Sequence, residues 1–200
     1  MRQFTGFFIG GGFGTAFVLA NAGPPLPSAA GLILRLLAVG ALVAVIASAV
    51  ILSRRGGDDP VPGTEAAPRF RFGPFYGIVV LLEVVLLLGG IQVLRALGAP
   101  MEANVAWIAL VVGLHFLPLA WYWRMGQILG VAVYLSTLGA AGLVMAAAGF
   151  AEWVPFVSGV LSGVGMLAGI LVGMVGMLRA SRGKGDGAAD GEPVGGTAHS

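Results

Sequence analysis

The sequence predicts an all-α membrane protein with six transmembrane helices and both termini in the cytoplasm. Hydrophobic residues make up 58% of its 200 residues and charged residues only 10%, whereas soluble domains carry about 25% charge. The mean hydropathy is +0.95. The apolar residues fall in six runs, each close to the about 20 residues that a helix needs to cross a bilayer. Basic residues gather on alternate connections between these runs, which predicts the orientation.

The six apolar runs define the predicted helices in chain order. Their approximate bounds are 4–21, 30–52, 74–95, 104–123, 127–149 and 154–178. Only helices and closed barrels satisfy every backbone hydrogen bond in lipid, and the runs lack the alternation of barrel strands. Residues 1–178 are therefore predicted to form one helical bundle. Residues 179–200 are rich in Gly, Ala and Asp without apolar periodicity, so we expect a disordered cytoplasmic tail.

The basic residues predict which side of the membrane each connection occupies. If six helices alternate, one side receives Arg2, Arg54, Arg55, Arg69, Arg71, Arg124, Arg179, Arg182 and Lys184. The opposite side receives Arg95. Connections rich in arginine and lysine stay in the cytoplasm, so we expect a multi-pass protein of a bacterial cytoplasmic membrane. Aromatic residues at the ends of the runs, such as Trp121, Tyr122 and Trp123, agree with these bounds because such rings prefer the membrane interface.

A secretory signal peptide is a competing interpretation of the first run. Arg2, the apolar run and the small-x-small pattern of Ala20, Asn21 and Ala22 resemble a signal with its cleavage site. Several glycines interrupt the run, which disfavours this interpretation. Cleavage of residues 1–22 would leave five helices without inverting the others.

The residue types present exclude several functional classes. The chain has no cysteine, which excludes disulfides, thiolate metal sites and a cysteine nucleophile. It also lacks the sequence motifs of zinc hydrolases, serine hydrolases and phosphate-binding loops. The net charge of +2 reflects membrane topology and does not indicate a nucleic-acid partner. We therefore expect no catalytic activity, no metal and no cofactor.

Two ionisable residues lie in the predicted membrane interior. Glu83 precedes Leu94 by eleven residues, and His115 follows Asn104 by eleven, so both lie about 16 Å from the same membrane surface. An isolated acid at this depth costs about 2.5–3.5 kcal/mol on insertion scales. If the two side chains meet, they can share one proton, remain neutral together, and release and rebind that proton as transporter relays do. The spacing does not determine whether they face each other.

The candidate midplane polar or proton site comprises Glu83, His115, Tyr134, Ser136 and Thr137, because the three hydroxyls lie near the middle of the fifth run. The alternative is structural: Glu83 as a protonated acid and His115 as a neutral core histidine, each hydrogen-bonded within the bundle. Arg35 is expected to extend toward the headgroups; its alternative is a pair with Glu83.

Pro118 is expected to kink the fourth helix. Proline has no backbone N–H, so the carbonyl of Leu114, four residues earlier, loses its helical donor.

Small residues recur at spacings of three and four on two of the predicted helices. The first helix carries Gly6, Gly10 and Gly14, and the sixth carries Ser158, Ser162, Gly165, Gly169, Gly173 and Gly176. Such faces allow two helix backbones to approach closely. They predict either a contact with a second copy or a partner membrane protein, or packing inside the bundle.

The segment 113–124 (GLHFLPLAWYWR) resembles uncharacterised small multi-span bacterial integral membrane proteins. The resemblance is confined to the fourth helix and transfers no activity.

These observations leave two functional hypotheses for a protein embedded in the lipid bilayer. The first is a small transporter- or permease-like bundle with a proton-linked midplane polar site. The second is a non-transporting membrane subunit or scaffold that binds partner helices through its glycine-rich faces. A solvent-accessible cavity that reaches Glu83 would favour the first. A dry, fully packed centre in which Glu83 and His115 are both hydrogen-bonded, together with a bare glycine face on the outside, would favour the second.

Overall fold

The computed structural model of the protein describes residues 5–55, 74–123 and 126–189. These residues form six α-helices and contain no strand. The helices are α1 (Thr5–Asn21), α2 (Ser28–Arg55), α3 (Pro74–Ala96), α4 (Ala103–Trp123), α5 (Gly126–Ala147) and α6 (Leu161–Ala189). The predicted all-α class is therefore confirmed.

Five stretches within the described residues are long and apolar enough to cross a membrane. They are Ser28–Arg54, Pro74–Ala96, Ala103–Tyr122, Gly126–Ala147 and Ala151–Arg179. The apolar helix α1 is shorter, with 17 residues, or about 26 Å at 1.5 Å per residue. Large apolar side chains such as Leu37, Leu81 and Val144 are exposed on the helix surfaces, as a lipid-facing surface requires.

The sixth span begins close to the predicted residue 154, but its first turns are not α-helical. A 3₁₀ turn at Ala151–Trp153 is followed by a π turn at Pro155–Val160, and α6 begins only at Leu161. Proline is tolerated in the first turn of a helix because the N–H it lacks would be unpaired there. The wider π turn buries Ser158 and Gly159 against neighbouring helices.

The sixth helix also ends later than predicted. It continues to Ala189, so residues 179–189 of the predicted disordered tail are helical. The three glycines of this segment disfavour helix, so the extension continues the preceding helix and does not follow from the composition of the segment. Residues 190–200, the rest of that predicted tail, lie outside the described residues, as do Arg2, Arg69, Arg71 and Arg124.

Glycines with positive φ angles end α3 and α5. The φ angles are 68° at Gly98 and 87° at Gly149, a region that glycine enters without the steric penalty of a Cβ. After α3, the N–H of Gly98 donates to the Arg95 carbonyl and the N–H of Ala99 to the Leu94 carbonyl, both at 3.0 Å. This Schellman arrangement satisfies the last carbonyls of the helix.

Helix α4 packs between α3 and α5. Trp107 and Leu119 face α3, while Leu110 and Gly113 face α5 on the opposite side of α4. The α4–α5 contact is especially close, because a Cβ added at the α5 glycine Gly139 would overlap the backbone of Leu110. The small residues that permit this approach were not among the predicted packing faces; they are Ala106, Gly113, Ser136, Gly139 and Gly142.

Helix α6 packs between α5 and the pair formed by α1 and α2. Gly14 of α1 lies against the Gly163 carbonyl: a Cβ added at Gly14 would be 3.0 Å from that oxygen. Thr15 of α1 donates to the Gly11 carbonyl at 2.8 Å and lies 3.5 Å from the Ala38 carbonyl of α2. We call the end of the bundle that carries Arg54 and Arg179 the basic end, and the end with the turns at 22–27 and 97–102 the turn end.

Candidate functional site

Glu83 lies on the one face of α3 that packs against α4. Val79, Glu83 and Gly90 follow one another at spacings of four and seven residues and share that face. The rest of α3 presents large exposed apolar residues, which are Ile78, Leu81, Leu82, Val85 and Leu88. The carboxyl group is thus turned from the lipid-facing surface toward a neighbouring helix, as the high cost of a lipid-exposed acid requires.

His115 of α4 lies directly opposite this carboxyl group. Its Nδ1 atom is 3.1 Å from Oε2 of Glu83, and 10% of the His115 side chain and 19% of the Glu83 side chain are exposed. The distance is that of an ion pair, but the two atoms are not in hydrogen-bonding geometry, and the buried Nδ1 atom has no other partner among the described residues. The structure therefore answers the question that spacing left open: the two groups lie at the same depth and face each other.

Apolar and aromatic contacts hold α3 to α4 on both sides of this pair. Toward the basic end, Val79 packs with Leu119, and the rings of Phe75 and Tyr122 stack with their centroids 4.7 Å apart. Toward the turn end, Gly90 lies against the indole ring of Trp107. The titratable pair is consequently placed in the middle of a largely apolar interface.

The three predicted hydroxyls of α5 do not join the pair. Tyr134 donates to the Leu161 carbonyl of α6 at 2.8 Å, and Thr137 donates to the Val133 carbonyl of its own helix at 2.8 Å. Ser136 packs against Gly113 of α4.

The position of His115 on α4 explains this separation. It follows Gly113 by two residues, which is about 200° around a helix, so His115 faces α3 while Gly113 faces α5. The predicted five-residue site is thus divided. Glu83 and His115 form a pair on the α3 side of α4, and the three hydroxyls belong to α5 on its opposite side.

Arg35 lies within α2 and Pro118 lies within α4. Arg35 is exposed on α2, which packs with α1 and α6, whereas Glu83 faces α4. The alternative Arg35–Glu83 pair is therefore not formed. Pro118 lies inside α4, which remains helical to Trp123.

The predicted small-residue faces are largely used inside the bundle. A Cβ added at Gly10 would lie 3.0 Å from the side chain of Ile170. Gly165 lies under the ring of Tyr134. Ser158 is fully buried and donates to the Leu138 carbonyl at 2.8 Å. The remaining predicted members divide by exposure: Ser162 is buried, Gly6 and Gly173 are half-buried, and Gly169 and Gly176 are exposed with open space around them.

No group of three or more His, Cys, Asp or Glu residues that could hold a metal ion occurs in the described part of the chain. No protein-family model, curated protein or solved structure matches the sequence. The geometry and chemistry of the residues themselves therefore carry the functional argument.

Proposed function

We propose that this protein is a transporter- or permease-like protein of a bacterial cytoplasmic membrane, with both termini inside, whose Glu83–His115 pair binds and releases a proton. The observation that supports the proposal is the 3.1 Å contact between the two titratable groups in the middle of two apolar helices. Ionisable residues at such depth are costly and commonly belong to proton or ion pathways.

The pair is suited to hold one proton. With one proton held by either group, the pair exists as a carboxylic acid beside a neutral imidazole or as a carboxylate beside an imidazolium, and both forms have no net charge. Removing the proton leaves a net negative charge and adding a second leaves a net positive charge. Each change is disfavoured in apolar surroundings unless water or a movement of the helices compensates it.

Helix α3 is the element on which a change of charge would act. It packs chiefly against α4, and Glu83 is its only acidic or basic residue between Pro74 and Leu94. A deprotonated, uncompensated carboxylate favours a position closer to water, whereas the neutral pair favours the packed position. Protonation thereby biases the α3–α4 contact between two arrangements, which is the coupling that proton-linked transport needs.

The proposal is tested by following carboxyl protonation in vesicles with pH-difference infrared spectroscopy. We expect a protonated-carboxyl band in the wild type, its loss in Glu83→Gln and its retention in Glu102→Gln, which alters an acid beside the α3–α4 turn. Vesicles containing a trapped pH dye should show proton movement that Glu83→Gln abolishes. Unchanged spectra and unchanged pH behaviour in a correctly folded Glu83→Gln variant would refute the relay role.

A non-transporting subunit or scaffold is the second candidate. It is favoured by the open space around Gly169 and Gly176 on α6, because small residues permit close approach of another helix. The test compares Gly169→Ile with Gly40→Ile, which changes an exposed glycine on α2 with equally open surroundings. A smaller particle in detergent for Gly169→Ile alone supports the second candidate, and equal sizes for both variants and the wild type count against it.

A further inference from the structure

The face of α6 that contacts α5 continues toward the basic end without a partner among residues 5–55, 74–123 and 126–189. At the contact point, Gly165 lies under the ring of Tyr134, whose hydroxyl donates to the Leu161 carbonyl. The residues four, seven and eleven positions after Gly165 share its helix face, and all three are exposed: Gly169, Val172 and Gly176. The side chain of Val172 is 74% exposed. This part of α6 is therefore open.

The facing surface of α5 is open in the same direction. Gly130 and Gln127 precede Tyr134 by four and seven residues, so they lie on the same face of α5, and both are exposed. The two helix faces that touch at Tyr134 and Gly165 are thus both uncovered toward the basic end. We take these two open faces as the walls of one groove, which we call the α5–α6 cleft.

The apolar clusters show the same separation independently. Met166 of α6 still packs with Val112 of α4 and Leu135 of α5. Beyond it, toward the basic end, the cluster of Met174 contains residues of α1, α2 and α6 and none of α5. Ile128 of α5 packs with the α3 and α4 cluster instead. Past Met166, therefore, no apolar cluster of the described residues joins α5 to α6.

The guanidinium group of Arg179 lies at the basic end of this cleft. Arg179 follows Gly176 by three residues and Val172 by seven, which places it on the open face of α6, and it is exposed. It lies about 21 Å along the helix from Gly165. The walls between these two positions carry only glycine and aliphatic residues on α6, and Gln127 is the polar residue at the α5 side of the basic end.

We propose that the α5–α6 cleft binds one phospholipid with an anionic headgroup. The narrow apolar wall complements an acyl chain, and the Arg179 guanidinium complements a phosphate, with which it can form two parallel hydrogen bonds. Arginines beside a membrane surface attract anionic lipid. The site is independent of the proposed proton pair, which lies on the far side of α4.

The test is a lipid titration of the full chain in detergent, read by native mass spectrometry with phosphatidylglycerol and phosphatidylcholine of identical acyl chains. We expect tighter binding of the first phosphatidylglycerol. Arg179→Gln should weaken it about fivefold, the factor expected for one arginine at a membrane surface. Gly169→Ile, which fills the cleft, should weaken binding of both lipids. The matched controls Arg54→Gln and Gly40→Ile, which change exposed residues of α2, should leave both affinities unchanged.

Three outcomes would overturn the proposal. Equal affinities for the two lipids would remove the role of the charge, and an equal loss in Arg54→Gln and Arg179→Gln would show a general surface attraction. A dimeric mass that Gly169→Ile converts to a monomer would show that a second copy of the chain occupies the cleft. Size-exclusion profiles and helix content matching those of the wild type establish that each variant is folded.

Discussion

Gly90 of α3 lies directly against the indole ring of Trp107 of α4, so closely that an added Cβ would overlap the ring. The indole N–H of Trp107 also donates to the Leu86 carbonyl at 2.9 Å. Together these contacts determine how far α3 stands from α4 on the turn-end side of Glu83. The absence of a side chain at Gly90 thus helps to place the Glu83 carboxyl group within reach of His115.

Replacing Gly90 with leucine should therefore push α3 away from α4. We expect Gly90→Leu to lower the free energy of unfolding by about 1–3 kcal/mol, the usual cost of overpacking. Reversible unfolding in mixed micelles measures this change. The matched control is Gly89→Leu, because Gly89 is exposed and an added Cβ would contact nothing. Equal stability of the two variants would contradict the prediction.

The close contact between α4 and α5 leads to a second prediction. A side chain at Gly139 would overlap the backbone of Leu110, and a backbone yields less readily than a flexible side chain. We expect Gly139→Leu to destabilise the protein by at least about 1–3 kcal/mol or to prevent folding. Gly130→Leu on the same helix meets open space and should remain close to the wild type. Similar unfolding curves for both variants would show that the α4–α5 contact can rearrange to accommodate the added side chain.

Buried and exposed hydroxyls should differ in their contribution to stability. Ser158 is fully buried and links α5 to the π turn through the Leu138 carbonyl, whereas Thr137 is exposed and bonds within its own helix. We expect Ser158→Ala to cost about 0.6 kcal/mol, and at most about 1.7 kcal/mol, the range measured for such bonds in a membrane protein. Thr137→Ala should change the unfolding free energy less. The reverse order would argue against the Ser158 bond as a link between helices.

The proposed orientation can be measured by cysteine labelling because the chain has no cysteine of its own. Ala99→Cys places a thiol in the turn between α3 and α4, and Gly126→Cys places one at the exposed start of α5. With both termini inside, a membrane-impermeant thiol reagent should label Ala99→Cys in intact cells and label Gly126→Cys only after permeabilisation. The opposite pattern would invert the orientation.

The sequence predicted the positions of the helices better than it predicted the turns and extensions at their ends. Long apolar runs indicate where the described helices lie and most of their bounds, because the cost of unpaired backbone groups in lipid leaves few alternatives. The same signal could not reveal the π turn before Leu161 or the helical extension to Ala189. These features depend on local packing and on a segment that carries no apolar run.

The candidate site shows the same division. The common depth of Glu83 and His115 follows from the constant rise of a helix, so it could be predicted from the chain. Their contact could not, nor could the placement of Ser136 against Gly113. In a membrane protein, the lipid-facing and protein-facing sides of a helix are both apolar. The rotation of each helix about its axis therefore leaves little trace in the hydrophobic pattern.

The sequence by itself thus determined that this chain is a set of apolar helices with an acid and an imidazole at one level. Only the tertiary structure decided that α3 and α5 pack on opposite faces of α4, which joins Glu83 to His115 and separates both from the hydroxyls of α5. The physical reason is that glycine and aromatic contacts between helices, such as those at Gly90 and Gly139, set which faces meet.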